Sequence, residues 1–179
     1  TGTMYISADS CTTGSQTKYD EYFKEVYRIV KSLPGKKLVV KPHPGPLLTK
    51  YVENLVNEID PSITVIRNQD LHELINDCEV LITFNNSTTA LEAISLKKPV
   101  VSLQTESWAN EDDIAQAGAV VSISNIKDCE KEIKKILFDT PFRKQQTDKA
   151  SNFLRKYMSN PGNASKSVAE IFKNFLKSK

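Results

Sequence analysis

Three polar stretches carry residue types suited to gripping an anion: residues 9–17, Lys41-Pro42-His43-Pro44-Gly45, and Asn85-Asn86-Ser87-Thr88-Thr89. The third runs straight into a segment, residues 90–96, with the character of a helix. Its unpaired backbone N–H groups and the positive end of its dipole would face an incoming anion. Ser87, Thr88 and Thr89 add hydroxyl donors, or one of them simply caps the helix. His43 stands between two prolines that hold the backbone extended. Its imidazole can donate to a phosphate oxygen and, when protonated, offset negative charge. Lys41 brings a cation to the same stretch, or else ends its strand and reaches solvent. Glu92, one turn into the helix, is a carboxylate able to accept two neighbouring hydroxyls at once. Ser10 and Thr12 are candidate binding hydroxyls in the first stretch. Glu106 and Trp108 are weaker candidates for a pocket wall, and His72 has no obvious partner and reads as structural.

These side chains need a frame that brings their loops to one edge. The chain alternates short β-branched runs with amphipathic runs, the order of a parallel sheet covered by helices on both faces. Strands are predicted at residues 4–8, 38–40, 63–66, 79–84, 99–103 and 119–123. Tyr19, Tyr22, Phe23, Val26, Val30 and Leu33 recur at helical spacing, ended by Pro34-Gly35. Leu48 to Ile59 gives a second helix, and Asp70 caps a short third one through Leu74 and Ile75. Residues 105–113 read as an acidic loop. Cys129, Ile133, Ile136 and Leu137 mark a later helix. Phe153, Leu154 and Tyr157 mark a terminal helix; Val168, Ile171, Phe172, Phe175 and Leu176 mark another, expected to pack back onto the sheet because so large an apolar face is costly in water. In such open sheets ligands collect beyond the carboxyl ends of the strands, and all three polar stretches fall there.

The expected architecture is therefore a Rossmann-like three-layer α/β/α sandwich with a mainly parallel sheet. One domain is expected over residues 1–179, with residues 140–179 as its terminal helices. Apolar residues make up 39% and charged residues 26%, the balance of a folded globular chain. The net charge of +2 comes from scattered residues, which argues against a nucleic-acid partner, since binding that backbone needs a concentrated basic face. No apolar run reaches the roughly 18 residues of a membrane span. Cys11, Cys78 and Cys129 lie far apart, without metal-ligand spacing or an even count for a disulfide framework. A cytoplasmic setting is expected, peripheral to a membrane only through a larger protein.

Taken together, Leu38-Val39-Val40-Lys41-Pro42-His43-Pro44, the strand at residues 77–83, Asn86-Ser87-Thr88-Thr89 with Glu92-Ala93, and Lys98-Pro99-Val100-Val101 resemble the C-terminal domains of GT-B transferases. The nearest likenesses are the CDP-glycerol glycerophosphotransferases and the bacterial sialyl- and polysialyltransferases, which share a His-Pro and a Ser-Ser or Ser-Thr motif. The tail Gly162-Asn163-Ala164-Ser165-Lys166 is similar to the final helix of the former. UDP-N-acetylglucosamine 2-epimerases are a more distant likeness.

The resemblance implies that His43, Ser87 and Thr88 engage donor phosphates and that Glu92 contacts the ribose. It also implies a separate N-terminal domain that supplies the acceptor site and the base, so no base is named here and this chain alone is expected to be inactive. The expected activity is inverting transfer from a CDP-, CMP- or UDP-activated sugar or polyol to a hydroxyl, with no obligatory cofactor or metal. The alternatives are an isomerase domain of the 2-epimerase type and a non-catalytic nucleotide-binding or assembly module.

Overall fold

Alternating β-branched and amphipathic segments form a six-stranded sheet between helices in the computed structural model, which describes residues 2–8, 16–85, 87–106, 113–158 and 162–177. The strands are β1 (Gly2–Ala8), β2 (Lys36–Pro42), β3 (Thr64–Val65), β4 (Val80–Phe84), β5 (Val100–Leu103) and β6 (Val121–Ile123). The helices are α1 (Gln16–Ser32), α2 (Pro46–Ile59), α3 (Leu71–Asp77), α4 (Thr88–Ser95), α5 (Asp113–Gln116), α6 (Cys129–Phe138), α7 (Thr140–Tyr157) and α8 (Ala164–Lys177). The sheet order is β3-β2-β1-β4-β5-β6. Among the described residues every pairing is parallel, in line with the mainly parallel sheet expected.

This order explains the apolar runs. A parallel sheet has helices on both faces, and all five residues of β4 are buried. Side chains alternate between two cores. Met4, Ile6, Val40, Ile82 and Phe84 pack against α1, α2 and α6, whereas Tyr5, Val39 and Leu81 pack against α3, α4 and the second half of α7. The ring of Tyr19 stacks on Phe84 at 4.0 Å between centroids. Such a pair adds about 0.5–1.5 kcal/mol beyond its buried area. It also fixes the last residue of β4, immediately before the Asn-Ser-Thr stretch.

Helix α7 begins on the first core through Phe142 and ends on the second through Ala150, Phe153 and Leu154. It therefore crosses below the amino end of β4, where Arg143 Nη2 donates to the carbonyl of Glu79 at 2.7 Å. Helix α8 differs from expectation. None of its residues is buried, and Val168, Ile171, Phe172, Phe175 and Leu176 are 51% to 72% exposed. The expected packing onto the sheet is thus carried by α7, which reaches both cores, while α8 contributes no buried residue to either. Cys78 and Cys129 are buried free thiols. Among the described residues no helix is long and apolar enough to cross a membrane.

Candidate functional site

From β1 the chain builds outward through β2 to β3, then returns to the other side of β1 to place β4. The reversal opens a crevice between β1 and β4, the point where ligands settle in doubly wound sheets. Ala8 pairs with Pro42, and Ser7 with Thr83, so β1, β2 and β4 end level with one another. The loops that follow these three strands leave from the same edge. Two strand spacings, about 10 Å, separate the ends of β2 and β4, a gap that a group the size of a diphosphate can bridge.

At the end of β4, Asn85 takes the left-handed conformation with φ 48°, which Asn tolerates better than most residues. Its side chain explains why it is held there. Oδ1 accepts from the backbone N–H of Thr105 at 2.9 Å and of Glu106 at 3.2 Å, while Nδ2 donates to Thr105 Oγ1 at 2.8 Å. The carbonyl of Asn85 accepts from Ser102 Oγ at 2.8 Å. The turn before α4 is thereby latched to the segment after β5. Ser87 is the N-cap of α4: its Oγ accepts from the N–H of Thr89 at 3.2 Å. Capping is thus one role of this hydroxyl, as the simpler sequence reading had it. Ser87 and Thr89 are buried and Thr88 is exposed at the helix start. The partial positive charge of this end of the helix faces the crevice edge.

His43 is exposed just beyond β2. Its Nδ1 accepts from the N–H of Gly45 at 3.1 Å, and its carbonyl accepts from Thr49 Oγ1 at 2.8 Å. With Nδ1 occupied as an acceptor, the neutral ring carries its hydrogen on Nε2 and presents a donor. Lys41 is turned elsewhere, its Nζ donating to the carbonyl of Arg67 at 2.8 Å, where it braces the segment after β3. Beside His43 lies an open cavity of about 640 Å³ whose lining includes Pro42, Pro44, Thr49, Lys50, Arg67 and Asn68. Beneath the start of α4 the space shrinks to about 10 Å³ among Asn85, Ser87, Ser102 and Gln104, no more than one water occupies. That small space supports the turn rather than holding a ligand.

Glu92 is half-buried on α4, and its Oε2 lies 3.3 Å from Nε2 of His72. His72, read from sequence as structural and unpartnered, therefore has a partner in the site. Asp70 caps α3 as predicted, accepting from the N–H groups of His72 and Glu73 at 2.8 and 3.1 Å. Glu106 contributes its backbone to the Asn85 latch. Ser10, Thr12 and Trp108 lie outside the described residues. Among the described residues no three His, Cys, Asp or Glu side chains gather as a metal site.

Sequence reasoning missed the latch of Asn85 with Thr105, the His72–Glu92 pair, and a polar row beneath the edge. Lys41, Ser7, Thr83 and Ser102 are successive register partners across β2, β1, β4 and β5, so they share the face toward α3 and α4. Thr83 Oγ1 and Gln104 Oε1 are buried with no hydrogen-bond partner among the described residues. A readable signal existed: each of these strands carries a polar residue one position before its end, directly after an apolar run.

With this geometry in view, the comparisons with known proteins can be placed. The family model described as LIC12162 family transferase matches residues 2–118. No curated protein sequence matches. Among solved structures, the S. aureus MnaA–UDP co-structure is 21% identical with a TM-score of 0.71, over 98% of this chain and 47% of that one. UDP-GlcNAc 2-epimerase from Neisseria meningitidis, bound to UDP-GlcNAc, is 18% identical with a TM-score of 0.67, over 97% and 45%. The spinosyn rhamnosyltransferase SpnG is 18% identical with a TM-score of 0.65, over 94% and 45%. The chain spans just under half the length of these structures, and at such identities the likeness is one of fold: it is the Rossmann-like half that GT-B glycosyltransferases and the 2-epimerases share.

Proposed function

The chain belongs to the LIC12162 family of transferases, and from that premise we propose that it binds the phosphate of a nucleotide-activated donor for transfer to an acceptor hydroxyl. The observation that supports this reading is the common edge: His43 follows β2 and the capped start of α4 follows β4, two strands that end level on either side of β1. The Nε2–H of His43, the hydroxyls of Ser87, Thr88 and Thr89, and the N-terminus of α4 are the proposed phosphate contacts, with Glu92 on the ribose. Ser10 and Thr12 complete the proposed set. Lys41 would act through the bracing of the neighbouring loop rather than by direct contact.

In the glycosyl case, the acceptor oxygen forms a bond to the donor's activated carbon as that carbon's bond to the phosphate oxygen breaks. The electron pair leaves with the nucleotide, and the acceptor's proton passes to a base outside the residues named here. The site's share is electrostatic, since donors fixed in advance stabilise the charge that grows on the leaving phosphate. The donor is proposed to be of CDP, CMP or UDP type and the cofactor requirement nil. The N-terminal half of a GT-B fold is the proposed partner that completes the cleft, and the cytoplasm the proposed setting, in keeping with the free thiols of Cys78 and Cys129.

Titration calorimetry with CDP, CMP and UDP tests the proposal. Binding by at least one, weakened in His43→Ala, is expected; no binding by any at millimolar concentration would overturn it. A second reading, isomerisation of a UDP-sugar, draws support from the fold likeness to the two 2-epimerase-type structures. A product assay on the full-length protein separates the two. Released nucleotide with an extended acceptor marks transfer, and an altered sugar configuration marks isomerisation.

A further inference from the structure

Helix α8 carries five apolar side chains that neither core uses. Val168, Ile171, Phe172, Phe175 and Leu176 fall at i, i+3, i+4, i+7 and i+8, the spacing of one helix face, and each is 51% to 72% exposed. In water such a stripe is costly. The opposite face has a character of its own. Lys166, Lys173 and Lys177 recur at i, i+7 and i+11, all exposed, with Glu170 as the one carboxylate of the helix. Apolar and cationic residues are therefore sorted onto two sides of one cylinder.

The charges decide what kind of surface suits the stripe. At 14 residues the helix is about 21 Å long, too short and too charged to cross a bilayer. Five side chains are few against the roughly 20–30 residues per side of a stable protein interface, so a second copy gains little from them. Docking on a protein face also leaves the lysines in solvent, where their clustering serves nothing. A lipid surface uses both sides at once. With the stripe sunk about 5–10 Å into the acyl boundary, a cylinder about 10 Å across holds its lysines near the headgroups, within the Debye length of about 8–10 Å over which anionic phosphates attract them. Each lysine so placed strengthens the hold.

We infer that α8 is an interfacial anchor: it lies flat on a bilayer that carries anionic lipid, with Ile171, Phe172 and their apolar neighbours among the acyl chains and the three lysines at the headgroups. The sequence alone assigned membrane contact to a larger protein, and α8 gives this chain a contact of its own. Donor binding neither requires nor excludes it.

The test is co-sedimentation of the full-length protein with vesicles of phosphatidylcholine alone and with vesicles of phosphatidylcholine and phosphatidylglycerol in equal parts. Binding to the anionic vesicles is expected, weakened at raised salt and slight on the neutral ones. Ile171→Ser combined with Phe172→Ser should lower the apparent affinity about tenfold or more. Lys166→Gln combined with Lys173→Gln and Lys177→Gln should lower it about as much. None of these side chains is buried, so the melting temperature of each variant should stay within about 2 °C of the unsubstituted protein's. If the apolar variant departs from that range, the lysine variant decides. No binding to anionic vesicles, equal binding to both kinds, or binding that neither set of substitutions weakens would each overturn the inference. Sedimentation velocity without lipid exposes the rival: a dimer that Ile171→Ser with Phe172→Ser dissociates, in a protein that ignores vesicles, would overturn it in favour of a second copy.

Discussion

The backbone N–H of Gly45 donates to Nδ1 of His43 at 3.1 Å, and a Cβ added at Gly45 would stand 3.2 Å from that same nitrogen. One glycine thus sets the tautomer of the ring and leaves room for it. Nitrogen-15 chemical shifts of His43 should therefore show the Nε2–H form when the ring is neutral, and an Nδ1–H form would contradict the geometry. Gly45→Ala should displace the ring by a few tenths of an ångström. Its expected cost is about two- to fivefold in nucleotide affinity, against about tenfold for His43→Ala, which removes a hydrogen bond to a charged phosphate. Melting temperatures should barely move, because His43 is exposed.

Asn85 joins two turns that no other described side chain joins in the same way. Replacing it with Ala strips partners from the N–H groups of Thr105 and Glu106 and leaves a residue with a Cβ at φ 48° that has lost its compensating bonds. The expected loss is about 2–4 kcal/mol in urea unfolding. Asn85→Gly relieves the backbone but not the lost bonds and should fall between Ala and the unsubstituted protein. A change below about 0.5 kcal/mol for Asn85→Ala, the size of an ordinary surface substitution, would show that the latch does not hold the turn.

How far the sequence discloses this molecule follows from the range of the forces involved. Local signals were legible. Apolar periodicity located the strand and helix cores, Asp70 announced the cap of α3, and the Pro-His-Pro and Ser-Thr-Thr stretches pointed to loops that leave one edge. Pairing across the sheet was not legible. Lys36 and Lys37 look solvated, yet both belong to β2 because Gly2 and Thr3 pair with them, and Lys36 Nζ meets Glu79 Oε2 at 2.5 Å. Helix α7 runs to 18 residues with Ala150 as its one buried residue, too weak a stripe to betray its length. The short helix α5 starts at the close of what read as a loop. His72 with Glu92 and Asn85 with Thr105 are separated by 20 residues each in the chain and meet only through the sheet order, which periodicity does not encode. The apolar stripe of α8 was legible as a helix, but its pattern says only that the face is apolar and not what covers it.

The acid limb of stability should be set by the carboxylates that tie α1 to its neighbours. Asp60, which follows α2, has its carboxyl held well below the usual range by the Ser62 hydroxyl first and by Tyr27 next, with Lys31 Nζ at 3.2 Å also contributing. Glu130 on α6 is lowered to about 2, by Lys134 first and then by Arg28, whose Nη2 lies 2.7 Å away. Glu25 is lowered as well, chiefly through its hydrogen bonds from Arg28. A carboxylate with a depressed folded pKa binds its proton more readily once unfolded, so its contribution is complete above the ordinary carboxylate pKa of about 4 and fades as pH falls through the folded value. The loss should therefore begin below about pH 4 and continue past pH 2 for Asp60, the most strongly lowered of the three, with a flat profile from pH 5 to 7 as far as these groups are concerned. The double variant Asp60→Asn, Glu130→Gln removes two of the three lowered groups. Its melting temperature should lie below that of the unsubstituted protein at pH 7, and the gap should narrow as pH falls below about 4 and close only below pH 2, once Glu130 and then Asp60 are protonated in the folded protein. Melting curves that stay parallel across that interval would mean that other groups set the acid limb and that these bridges between helices contribute nothing to it.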